Sequence, residues 1–125
     1  MYKVLFFIFV LLLSCERNYT NNPDNELIYA VKKNDINLLK IAIAKNANLN
    51  WQDEKGRTPL HWAAYYGNTE IAKLLIFHGA NPYIKDKNGL TPLDIARMNN
   101  KIKFFKEITE MVKGVKNDKS SADRH

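Results

Sequence analysis

Residues 53–85 read DEKGRTPLHWAAYYGNTEIAKLLIFHGANPYIK. Thr58 is a good N-cap, and Pro59 then falls at the first helical position, where its missing N–H costs nothing. Leu60, Ala63 and Ala64 make one inward face of a short helix, and the alanines are small enough to let a neighbouring helix approach closely. Gly67 can take the left-handed conformation that ends such a helix. Asn68 or Thr69 caps a second helix, whose apolar positions Ile71, Leu74 and Leu75 are spaced i, i+3, i+4. Gly79 ends that one. The following DKNG, Asp86 to Gly89, has Asp first and Gly fourth, the preference of a type I turn, and would be the tip of a short hairpin.

The unit recurs. TPLH at 58–61 returns as TPLD at 91–94, a shift of 33 residues. Shifting backwards by the same amount puts Leu27 in the place of Leu60 and Ala30 in the place of Ala63. Asn34 replaces Gly67 and Asn46 replaces Gly79; asparagine is the next-best residue for a left-handed position. Asn25 stands where Thr58 caps, and DEKG at 53–56 matches DKNG. Shifting forwards, Phe104 and Ile108 keep the inner positions, while Glu107 falls where Leu74 was, a charge that suits a terminal unit meeting water. The end of the chain, from residue 113, is polar and aromatic-free, and is expected to be a disordered basic tail.

A period of 33 with TPLH at its start resembles the ankyrin repeat, over about residues 25–112. The resemblance implies an all-α repeat solenoid of about three helix-turn-helix units, 25–56, 57–89 and 90–112, with short hairpin tips. Three units are about the minimum at which stacking buries a continuous core.

The N-terminus carries a second signal. Val4 to Leu13 is an unbroken apolar run of ten residues, preceded by Lys3 and followed by Ser14 and Cys15. A membrane-spanning helix needs about 20 residues, whereas ten suits the h-region of a signal peptide. Leu12-Leu13-Ser14-Cys15 resembles the lipobox of bacterial lipoproteins, with Leu13 standing where that family usually has a smaller residue. This resemblance implies removal of residues 1–14, lipidation of Cys15 and a tether over 15–24. It also accounts for a single cysteine, which can make no internal disulfide. Glu16, rather than aspartate, after the cysteine tilts the expected location toward the outer membrane, on its periplasmic or cell-surface side. The formal charge is +6, with fifteen lysines to four arginines. That bias does not point to nucleic acid, whose binders cluster their basic residues and favour arginine.

No catalytic constellation emerges, and no cofactor, metal or small-molecule substrate is expected. His61, His78 and His125 have no zinc-type spacing. The ankyrin resemblance makes His61 a structural imidazole bonded to turn backbone, with Asp94 as its counterpart in the next unit. What remains is a binding surface. In ankyrin proteins the partner usually meets the hairpin tips and the exposed side of each unit's first helix. Carried over by position, these places are Gln52, Glu54, Lys55, Arg57, Trp62, Tyr65 and Tyr66, and in the next unit Lys85, Lys87, Asn88, Leu90, Arg97 and Met98, with Trp51 opening the first hairpin. Tyrosine, tryptophan and arginine dominate interface energetics. The expected function is a non-enzymatic, lipid-anchored adaptor that binds an envelope protein. Two alternatives are a surface-exposed or released factor that binds a host protein, and an uncleaved, membrane-associated basic module.

Overall fold

The computed structural model describes residues 22–122, with side chains described through residue 114. Among the described residues six helices follow one another: α1 (Pro23–Lys33), α2 (Ile36–Ala44), α3 (Pro59–Tyr66), α4 (Thr69–Phe77), α5 (Pro92–Met98) and α6 (Ile102–Ala122). Among the described residues there is no strand. The helices pair as α1 with α2, α3 with α4 and α5 with α6. The first helices of the pairs form an inner row in which α3 packs against both α1 and α5, and α4 packs on α6 in the outer row. The architecture is an all-α repeat solenoid.

The 33-residue period fixes the packing. Ala30, Ala63 and Ala96 are each fully buried, one per unit, where the inner helices come closest. Around them close Leu27, Val31, Leu39, Leu60, Ile71, Leu75, Ile95, Phe104 and Ile108, all buried. Leu74 is only partly buried, because Ala72 and Leu75 take the inward positions on α4.

Helix ends follow the same period. Asn34, Gly67 and Asn100 have φ of 55°, 73° and 55°, and Asn46 and Gly79 have φ of 62° and 104°. The N–H after each reaches back to the last turn: Asp35 to Ala30, Asn68 to Ala63, Lys101 to Ala96, Ala47 to Ala42 and Ala80 to Leu75. Five orphan carbonyls are thereby satisfied in one way, by the motif that a left-handed residue permits.

Several expectations are corrected. Asn25 lies inside α1; the N-cap is Asn22, whose side chain accepts from the Asp24 N–H, because Pro23 supplies a preset first helical residue three positions earlier. Pro23 and Asp24 therefore belong to α1 and not to a tether. At the other end α6 continues to Ala122 through the segment expected to be a disordered tail. No proline interrupts that segment, and extending a formed helix is far easier than nucleating one. Glu107 does not simply meet water: its carboxylate lies 2.6 Å from Lys73 Nζ on the neighbouring outer helix. That pairing raises the Lys73 pKa and lowers that of Glu107, the hydrogen bond between them being the main cause of both. Asn68 sits at the N-cap of α4 but makes no side-chain cap bond. Its Nδ2 donates instead to the Val31 carbonyl, 2.9 Å away, stapling the second unit to the first.

Candidate binding face

Each tip is a four-residue turn closed by its own aspartate. Asp53 Oδ1 accepts from the N–H groups of Lys55 and Arg57, and Asp86 Oδ1 from those of Asn88 and Leu90, all at 2.9 Å. Gly56 and Gly89 end the turns with φ of 74° and 77°. The tips then stack: the Lys87 N–H donates to the Lys55 carbonyl at 3.0 Å, and Gln52 Nε2 donates to the Gly56 carbonyl at 2.9 Å. Gln52 thus serves the tip itself, while Glu54, Lys55, Lys85, Lys87 and Asn88 are exposed around it.

His61 locks a tip to a helix. Its Nδ1 accepts from the Thr58 N–H at 3.0 Å, completing a capping box, and its Nε2 donates to the Leu90 carbonyl at 2.8 Å. A carbonyl can only accept, so the proton resides on Nε2. The ring is buried, and this burial lowers its pKa below the ordinary 6.5. Asp94 does the capping in the next unit, accepting from the Thr91 N–H at 3.0 Å, which lowers its own pKa.

Above the tips, α3 turns one face outward. Trp62, Tyr65 and Tyr66 form an aromatic trio: Tyr66 stacks on Trp62 with ring centres 6.2 Å apart, and Tyr65 stands edge-on to both. Tyr65 and Tyr66 are 45% and 43% exposed, so the core holds neither ring fully. Trp62 is half-buried and its indole N–H donates to Asp53 Oδ2 at 3.1 Å, joining helix to tip. Arg57 lies over the indole, 5.2 Å from its centre, and Lys32 of the first unit lies over it at 4.3 Å. The structure therefore brings Arg57, Trp62, Tyr65 and Tyr66 together. Lys32 completes the cluster and escaped the positional reading, although the period could have found it, since Lys32 is 33 residues before Tyr65. Arg97 and Met98 occupy the exposed side of α5, Arg97 paired with Asp94 at 3.3 Å and Met98 65% exposed. In the next unit Ile95 stands where Trp62 does, so Asp86 Oδ2 has no indole donor and is left buried with no hydrogen-bond partner among the described residues.

These features define a class: stacked helix pairs joined by tight turns, displaying an exposed cation–aromatic face and no described metal-binding group. The chain belongs to the ankyrin-repeat family. The family profile described as "Ankyrin repeats (3 copies)" matches residues 6–86 and 27–121. The chain is 40% identical to the human 2-5A-dependent ribonuclease over 83 residues, 65% of this chain and 11% of that protein. It is 39% identical to the potassium channel GORK of Arabidopsis thaliana over 97 residues, 78% of this chain and 11% of the channel. With a protein of Acanthamoeba polyphaga mimivirus described by its ankyrin repeats it shares 33% identity over 87 residues, 70% of this chain and 54% of the viral protein. The chain thus spans from about a tenth to about half of these relatives, and the activities in their names belong to those proteins. Ankyrin repeats are generally non-catalytic modules for binding other proteins.

Proposed function

We propose that this chain is a non-enzymatic adaptor that binds an envelope protein through its inner face while a lipid on Cys15 holds it to a bacterial membrane. The observation that carries the binding half is the Arg57–Trp62–Tyr65–Tyr66 cluster, which sits on a helix and a locked tip and whose two tyrosines are exposed. Rigid aromatic anchors of this kind dominate binding energy where a partner covers them. The anchoring half rests on the sequence: the ten-residue apolar run and the sole cysteine at its end, both outside the described residues. The relatives named above are eukaryotic or viral, and so add nothing to the envelope location. Seven residues, 16–22, separate Cys15 from α1. Fully extended they reach about 25 Å, so the lipid would keep the solenoid close to the bilayer. Two or more acyl chains would make that attachment stable. Mass spectrometry of the protein extracted from membranes should give a lipidated Cys15 as first residue, and Cys15→Ser should release the chain from the membrane fraction. A mature protein that begins elsewhere, or a Cys15→Ser variant still held by membranes, contradicts the anchor.

A further inference from the structure

Two shallow cavities lie against the inner face and share a wall. One, about 590 Å³, is bounded by Trp51, the first tip and Trp62. The other, about 620 Å³, is bounded chiefly by Ile28, Tyr29, Lys32, Leu38 and Trp51. Trp51 lines both, and this paired trench holds both of the chain's tryptophans, with Ile28, Tyr29 and Leu38 at one end and the polar residues of the first tip at the other.

Around the two cavities cations outnumber carboxylates. Lys32 and Arg57 lie over the Trp62 ring, and Lys55, Lys85 and Lys87 crown the two stacked tips. None of these five cations makes an ion pair among the described residues. Opposite them are three carboxylates, which line the two cavities. Asp53 accepts from the backbone N–H groups of Lys55 and Arg57 and from the Trp62 indole. Glu54 is exposed, and Glu26, at the far end, is spent on Lys45 at 3.1 Å. A cation over an aromatic face still has N–H groups to offer an arriving carboxylate.

We propose that the trench binds an acidic segment of a partner protein, in which a large apolar side chain is flanked by aspartates or glutamates. The apolar side chain lies between Trp51 and Trp62, and the flanking carboxylates meet Lys32, Arg57 and Lys55. Asp53 and Glu54 on the same rim repel a continuous polyanion such as nucleic acid or an anionic bilayer, whereas a peptide can place its charges selectively. This inference rests on the inner face being the protein-binding face and names the chemistry of its partner.

Because the only two tryptophans line the trench, their emission reports its occupancy. The full chain is titrated with a ten-residue peptide carrying a central leucine pair flanked on both sides by glutamates. The expected result is a saturable change in tryptophan emission. Affinity should fall at least tenfold in Lys32→Glu/Lys55→Glu and again as salt rises from about 50 to 300 mM, while a Lys40→Glu/Lys113→Glu control of equal charge stays within about twofold. Lys32 and Lys55 are exposed and outside the ion pairs, and circular dichroism verifies that the variants remain folded. Equal binding of the same peptide with glutamine for glutamate overturns the proposal. So does a response to phosphatidylglycerol vesicles or single-stranded DNA with none to the peptide. If the peptide fails while partner capture still depends on Tyr65 and Tyr66, the acidic chemistry is wrong and the face stands; if capture is independent of the tyrosines, the face itself is wrong.

Discussion

Gly56→Ala and Gly89→Ala place the same methyl group at equivalent points of two successive tips, and the structure gives them different costs. Both glycines have left-handed backbones, φ 74° and 77°, so alanine at either incurs about 1–2 kcal/mol of conformational strain. At Gly89 nothing lies within 4 Å of the added Cβ, and the cost ends there. At Gly56 the Cβ would lie 2.9 Å from the Lys87 backbone nitrogen and 3.3 Å from two Asp86 backbone atoms. Backbone cannot swing aside as a side chain can, so the second tip must move away. That movement breaks the 3.0 Å bond from the Lys87 N–H to the Lys55 carbonyl, worth about 1 kcal/mol, and adds about 1–3 kcal/mol of overpacking. Gly56→Ala should therefore cost about 3–6 kcal/mol, roughly 2 kcal/mol or more beyond Gly89→Ala. For a domain of this size that gap is about 10 °C in Tm. Urea and thermal unfolding followed by circular dichroism at the helical band would measure it. Equal losses in the two variants would refute the close stacking of tips and leave only the strain of each glycine.

Three further outcomes follow from named contacts. Burial lowers the folded-state pKa of His61 below the 6.5 of an ordinary imidazole, so the unfolded chain binds this proton more readily. The stability it contributes is complete above about pH 6.5 and is lost as pH falls through the lowered folded value; thermal melts between pH 7.5 and 5 should show the drop in the wild type and a shallower one in His61→Gln. Asn68→Asp, a substitution that suits an N-cap, should lower stability by about 1–2 kcal/mol because a carboxylate cannot donate to the Val31 carbonyl; an unchanged urea midpoint would restore Asn68 to a mere cap. Trp62→Phe keeps the aromatic stack but leaves Asp53 Oδ2 without its donor, and should cost about 1–2 kcal/mol in the same assay, with no loss meaning that the indole bond is incidental.

The repeat was legible because its signals are local. Thr58 and Pro59 start a helix, Gly67 and Gly79 end two, and alanines at a fixed offset mark the close approach of inner helices. The replacement of glycine by Asn34 and Asn46 was readable through their tolerance of positive φ, and Asn100 obeys the same rule. Contacts between units were less legible, since a single chain pattern does not say which neighbour a polar side chain will meet. Asn68 looks like a cap and is a staple; Glu107 looks solvent-facing and finds Lys73. The start of α1 was misplaced because the shift by 33 pointed to Asn25, whereas Asn22 with Pro23 offers the better local start. On the face, residue type and position brought out Arg57, Trp62, Tyr65 and Tyr66, but not that Lys32 of the preceding unit would roof the indole.

Capture of the partner proposed for this chain by a folded Tyr65→Ala/Tyr66→Ala variant tests the inner face most directly. The two rings are nearly half-exposed and make their ring contacts with Trp62 and each other, so their removal should leave stability within about 1 kcal/mol of the wild type. Crosslinking and pull-down from native membranes, titrated with wild type and variant, would read the change in affinity. If the tyrosines are anchors of the interface, capture weakens by at least about 2 kcal/mol, roughly thirtyfold, with the melting curve preserved. Undiminished capture by the folded variant would contradict the inner-face site and move binding to the outer helices or the end of α6.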